Sequence, residues 1–90
     1  MSKREKLRQR LRNNPKDATL QQVETLLSSF GFSRVRIQGS HHIYEYDDGT
    51  IIKKVVVPVH GTKVKSVYVK RVIRLIDSFV SEENGDGTDA

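Results

Sequence analysis

The chain has 90 residues, of which 36% are hydrophobic and 30% charged, and a formal net charge of +5. That length supports one small domain, which buries only about 60–65% of its unfolded surface and has no room for a deep cofactor pocket. With no cysteine in the sequence, a disulfide framework, a thiolate zinc site and a cysteine nucleophile are all excluded, and a reducing cytoplasm is the expected compartment.

Residues 1–16 hold seven basic side chains against Glu5 alone. Only Leu7 and Leu11 stand at helical spacing, so this stretch is expected to be a basic, flexible N-terminal arm or a frayed helix, closed by Asn13, Asn14 and Pro15. No apolar core follows it, so no signal peptide is expected. No apolar run approaches the roughly 18 residues that a membrane span needs.

From Leu20 the pattern changes. Leu20, Val23, Leu26, Leu27 and Phe30 recur at three- and four-residue steps and form one apolar helical face. Thr19 with Gln22 three residues on has the form of a capping box, in which each side chain satisfies a free backbone N–H. Gly31 supplies a left-handed stop, and Phe32 is placed to fold back onto the last turn.

Three strands are expected next. Val35 and Ile37 alternate with Arg34, Arg36 and Gln38, which predicts a half-buried strand. Gly39 and Ser40 make a tight connection into a second strand over residues 42–46. Asp48-Gly49 is a strong hairpin signal, and residues 51–57 form a third strand ended by Pro58. A polar, basic loop covers residues 60–66. A second amphipathic helix is predicted from Ser66 to Val80, with Val69, Val72, Ile73, Ile76, Phe79 and Val80 on its apolar face. Residues 81–90 carry four acidic side chains and no basic ones, and are expected to be a disordered acidic tail.

The order helix, three-strand meander, helix implies an α+β sandwich of the double-stranded-RNA-binding-domain kind, a three-stranded antiparallel sheet with two helices on one face. The expected organisation is an arm over 1–16, a domain over 17–80 and a tail over 81–90.

The side chains able to exchange protons near neutral pH are His41, His42 and His60. His41 and His42 are adjacent at a strand junction, so they point to opposite faces and only one can share a site with a given ligand. A basic protein favours a polyanionic partner, because each cation near a phosphate releases condensed counterions. RNA carries its own nucleophile, the 2′-hydroxyl. Its cleavage needs a base, cations for the phosphorane and an acid for the leaving 5′-oxygen, and an imidazole suits either proton-transfer role without a metal.

Around His41, the candidates for RNA or phosphate contact are Arg36, Gly39, Ser40, His42, Lys53, Lys54 and His60. Each has a plainer reading beside it. Gly39 also serves as turn punctuation, Lys53-Lys54 also guards an aggregation-prone strand, and Tyr44 and Tyr46 either stack on bases or pack across strands. Zinc is disfavoured because His41 and His42 diverge and no carboxylate stands at ligand spacing. Glu45, Asp47 and Asp48 are weak candidates for paired-carboxylate chemistry, since the last two belong to a turn.

Taken together, Thr19–Gln22, Leu26-Leu27-x-x-Phe30-Gly31-Phe32, Gly39-Ser40-His41-His42, the hairpin, Pro58-Val59-His60 and the basic helix resemble the HicA toxin family over residues 13–80. The resemblance implies a double-stranded-RNA-binding-domain-like fold and a ribosome-independent mRNA interferase, with mRNA as substrate and a HicB antitoxin protein that covers the active site. The family's Gly-Ser-His motif falls on Gly39, Ser40 and His41, which makes His41 the catalytic residue by resemblance. Pro-x-His falls on Pro58 and His60. The sequence departs from many members in its basic arm, its acidic tail and the stretch Val64–Val69, where a Gly-Thr-Leu-like lead-in is common. The expected function is therefore a cytoplasmic endoribonuclease toxin with no cofactor, no metal and no membrane association. A non-catalytic RNA-binding module of the same fold is the alternative.

Overall fold

The computed structural model describes residues 3–88, with side chains described as far as Phe79. Three helices and three strands follow one another as α1 (Lys3–Asn13), α2 (Leu20–Ser29), β1 (Ser33–Gln38), β2 (His41–Asp47), β3 (Ile52–Pro58) and α3 (Ser66–Thr88), with a short 3-10 turn over Pro15–Asp17. The sheet is antiparallel in the order β1-β2-β3. This is the expected α+β arrangement, with one helix more than the two-helix reading.

Local chemistry explains α2. Thr19 accepts the Gln22 backbone N–H at 3.2 Å, and the Gln22 side chain accepts the Thr19 N–H at 3.1 Å, a complete capping box. At the other end the Phe32 N–H reaches the Leu27 carbonyl at 3.0 Å and the Gly31 N–H that of Ser28 at 3.0 Å. Gly31 stands at φ +95°, and a Cβ there would meet the Tyr46 ring at 3.1 Å. Its bare backbone lets the helix turn into β1 and lets Tyr46 lie against it.

Residues directly opposite on paired strands share a face. The register pairs His42 with Val57, Tyr44 with Val55 and Tyr46 with Lys53 on the face the helices cover. Tyr44 and Val57 are fully buried there. His41 with Pro58, Ile43 with Val56 and Glu45 with Lys54 stand on the open face. The core joins this covered face to Val23, Leu26 and Leu27 of α2 and to Val69, Val72, Ile73, Ile76 and Phe79 of α3. Tyr46, Phe32 and Phe79 close one end, with the Tyr46 and Phe79 rings edge to face at 4.7 Å. Tyr44 donates its hydroxyl to Glu24 Oε2 at 2.8 Å, and Arg34 shares the same oxygen at 3.2 Å. Burial and that carboxylate push the Tyr44 hydroxyl well above the usual tyrosine range. Both tyrosines are therefore packing residues.

Three expectations need correction. β1 is exposed throughout, with Val35 53% and Ile37 51% accessible. A bulge between Arg34 and Arg36 breaks the alternation, and the strand lies at the sheet edge. The second correction concerns residues 3–13, which are helical and docked, not a flexible arm. Leu11 is 1% exposed within the core and Leu7 packs against it. Arg8 bonds Glu5 and reaches Asp77 of α3 at 2.7 Å, and the Arg4 guanidinium lies 4.2 Å over the Phe30 ring. An amphipathic segment too weak to be stable alone is held by these long-range contacts. Finally, the α3 backbone stays helical to Thr88, past the expected end at Val80. The Val80 side chain and the last two residues of the tail lie outside the described residues.

Candidate active site at the end of the sheet

His41 opens β2 on the uncovered face and is exposed. Gln38 of β1 and Pro58 of β3 lie directly opposite it. Arg36 pairs with Ile43, which makes it a diagonal neighbour of His41 on the same face, at about 7–8 Å between backbones and within reach of a long side chain. The Gly39-Ser40 turn leads into His41. Gly39 adopts φ +62°, and a Cβ there would meet nothing within 4 Å, so the ground beside the imidazole is open.

The turn is tied to the segment that follows β3. The Val59 N–H donates to the Ser40 carbonyl at 2.9 Å, so the pairing of β2 with β3 runs one step past the last ladder pair. Val59 is buried, whereas Pro58 is half-buried and His60 is exposed. Strand alternation therefore puts His60 on the side of Pro58 and His41. His60 and Lys63 exchange both backbone hydrogen bonds, each at 2.9 Å, around Gly61 and Thr62. Residues paired in this way project to one side, so the Lys63 ammonium belongs to the same region. The loop is anchored rather than loose. Leu20 N–H donates to Thr62, Val64 N–H donates to Ala18, and Val64 is buried.

The structure thus sets Arg36, Gly39 and Ser40 beside His41, with His60 two residues past its partner Pro58 at the same end of the sheet. His42 lies on the covered face between Ile37 and Val57, half-buried, and its Nδ1 is buried without a hydrogen-bond partner. Lys53 is on that face as well, 5.8 Å over the Phe79 ring. Lys54 does share the open face with His41, but it lies 3.8 Å from Glu45 and four residues along β3 from Pro58, about 13 Å away. Sequence reasoning passed over Gln38, Lys63 and Lys65. The basic loop was visible as a composition, but only the two-residue turn shows that Lys63 stands beside His60. A second basic area, between α1 and α3, is lined by Arg12, Lys70 and Arg74 around Asp77, away from the open face. Among the described residues no three His, Asp or Glu side chains gather as metal ligands, and no helix is long and apolar enough to cross a membrane.

A short α+β domain with one covered sheet face, and with imidazoles and cations at one end of the other, belongs to the double-stranded-RNA-binding-domain-like class. A family model described as HicA toxin of bacterial toxin-antitoxin systems matches residues 20–77, from the first turn of α2 to Asp77 of α3. The chain belongs to the HicA toxin family and is a toxin of the toxin–antitoxin kind. The docked helix α1 lies outside the matched span. No curated protein and no solved structure matches the chain.

Proposed function

We propose that this toxin is an endoribonuclease that cleaves mRNA by acid–base catalysis through His41, without a metal. The observation that carries the reading is the placement of His41: exposed, on the open face of the sheet, beside a turn that begins with the unencumbered Gly39 and flanked by Arg36. An RNA backbone can lie across such a surface without a cavity, because the substrate supplies its own 2′-hydroxyl nucleophile. A positioned imidazole contributes about 10²–10⁴-fold to a proton transfer of this kind. Arg36, Lys63 and, further along, Lys54 supply positive charge for a phosphate and for the phosphorane that forms from it. The functional unit in this reading is the domain 17–80, acting in the cytoplasm. Family membership implies an antitoxin partner, which we read as a HicB-like protein that covers the His41 surface.

The fold also suits a module that grips RNA by shape and phosphate alone. The two readings part on product. Incubation of purified protein with a labelled mRNA in EDTA is expected to give discrete fragments. Binding with a steep salt dependence and intact RNA would favour the non-catalytic module.

A further inference from the structure

Cleavage through the 2′-hydroxyl needs two proton transfers, and one imidazole at a time does one of them. We propose that His41 and His60 form a two-histidine pair that straddles the scissile phosphate, one removing the 2′-hydroxyl proton and the other protonating the leaving 5′-oxygen. The proposal rests on the endoribonuclease reading above and assigns His60 a role in the reaction itself.

The geometry points to this pair in four steps. His41 stands directly opposite Pro58, and His60 is two residues beyond Pro58 on the same chain. The Ser40–Val59 hydrogen bond keeps the two segments in register through that step. Residue i and residue j+2 of an antiparallel pair are diagonal neighbours about 7–8 Å apart on one face. A phosphate group fits between two imidazoles whose stems are so spaced, with each ring within hydrogen-bonding reach of a different oxygen. Gly39, in the turn between β1 and β2 that leads into His41, has no side chain, and the space over it is free. The floor between the two rings is therefore open to a nucleotide.

The charged groups around the pair fit the same reaction. Lys63 is locked opposite His60 by the paired backbone bonds, and Arg36 flanks His41 from β1. The carboxylates that β2 sets on this face are Glu45, four residues along the strand and beside Lys54, and Asp47 two residues further on, both away from the His41 end. The surroundings are thus cationic, suited to the developing dianionic phosphorane. Proton and bond balance is complete without a co-reactant. The 2′-oxygen bonds to phosphorus as its proton passes to one imidazole. The P–O5′ bond breaks as the other imidazolium gives its proton to O5′. The products are a 2′,3′-cyclic phosphate and a 5′-hydroxyl.

The test uses the full-length protein and an RNA whose cleavage site has been mapped with the wild type, in its ordinary form and with sulfur replacing the 5′-oxygen that leaves. A sulfur leaving group departs without protonation. Rates are measured against pH for wild type, His41→Ala, His60→Ala and His60→Gln. The wild type is expected to show a bell-shaped profile and 2′,3′-cyclic phosphate ends. Each histidine substitution should remove one limb, the two removing opposite limbs, with losses of about 100-fold or more on ordinary RNA. The protein that has lost its alkaline limb should recover on the sulfur substrate, and the other should not. If the His60 variants keep both limbs, or if neither His41→Ala nor the His60 variants recover on the sulfur substrate, His60 is a phosphate anchor or a structural residue and the pair is refuted while His41 stands. If the wild type cuts neither RNA, the endoribonuclease reading falls and the pair with it.

Discussion

Truncating Leu11 to alanine separates a docked α1 from a flexible basic arm. Leu11 is 1% exposed and belongs to the core cluster. Burying and then truncating a leucine costs about 2–5 kcal/mol, depending on how far the site can collapse. Leu11 borders the shallow depression lined by Arg12, Lys70, Ile73 and Arg74, where side chains can shift and water can enter. The lower part of the range therefore applies, about 2.5 kcal/mol. In a domain this small 1 kcal/mol moves the midpoint by about 4–8 °C, so Leu11→Ala should lower Tm by about 10–20 °C. That is a large share of the roughly 5–15 kcal/mol that holds a domain folded. Thermal unfolding followed by circular dichroism, with urea titration as a second measure, reads it directly. A fall of less than about 3 °C would place Leu11 in solvent and refute the docking of α1.

Other perturbations probe the frame that holds the site. Tyr44→Phe removes the 2.8 Å bond to Glu24 and should cost about 1.5–2 kcal/mol in urea titration. Because burial and Glu24 raise the Tyr44 ionisation in the folded state, its contribution is whole below about pH 10 and is lost as pH rises further, so the variant should lose less stability than wild type in that alkaline range. Asp48 accepts the N–H groups of Thr50 and Ile51 and the Tyr46 hydroxyl, which together hold its carboxyl below the usual aspartate value. Its contribution is therefore present above about pH 4 and is lost as pH falls through the depressed value; Asp48→Asn should flatten the acid limb of a stability–pH curve. Gly31→Ala forces a side chain into φ +95° and against the Tyr46 ring, and should lower stability by about 2 kcal/mol, read from the urea midpoint.

What the sequence revealed is what adjacent residues decide. The capping box at Thr19 and Gln22, the glycine stop at Gly31 and the Asp48-Gly49 turn are closed by partners two to four residues away, so their pattern is their structure. Period-two alternation likewise separates His41 from His42 and Lys53 from Lys54, although it does not say which face is covered. What stayed hidden depends on distant partners. α1 carries only two leucines, and its anchor, Asp77, lies more than sixty residues on. The bulge after Arg34 is set by the pairing of β1 with β2; it leaves Val35 without a ladder partner and puts Arg34 and Arg36, which simple alternation assigns to one face, on opposite faces. The meeting of His60 and Lys63 with His41 needs both the β2–β3 register and the turn at Gly61 and Thr62. No local window contains all three.

The role of His41 is tested most directly by its own removal. Wild type, His41→Ala and His42→Ala, each checked for folding by circular dichroism, are incubated with labelled mRNA in EDTA and resolved on a denaturing gel. Fragments from the wild type and from His42→Ala, with none from a folded His41→Ala, are the predicted result. Cleavage by His41→Ala at the wild-type rate, above all with His42→Ala inactive, would move the chemistry to the covered face of the sheet and contradict the account.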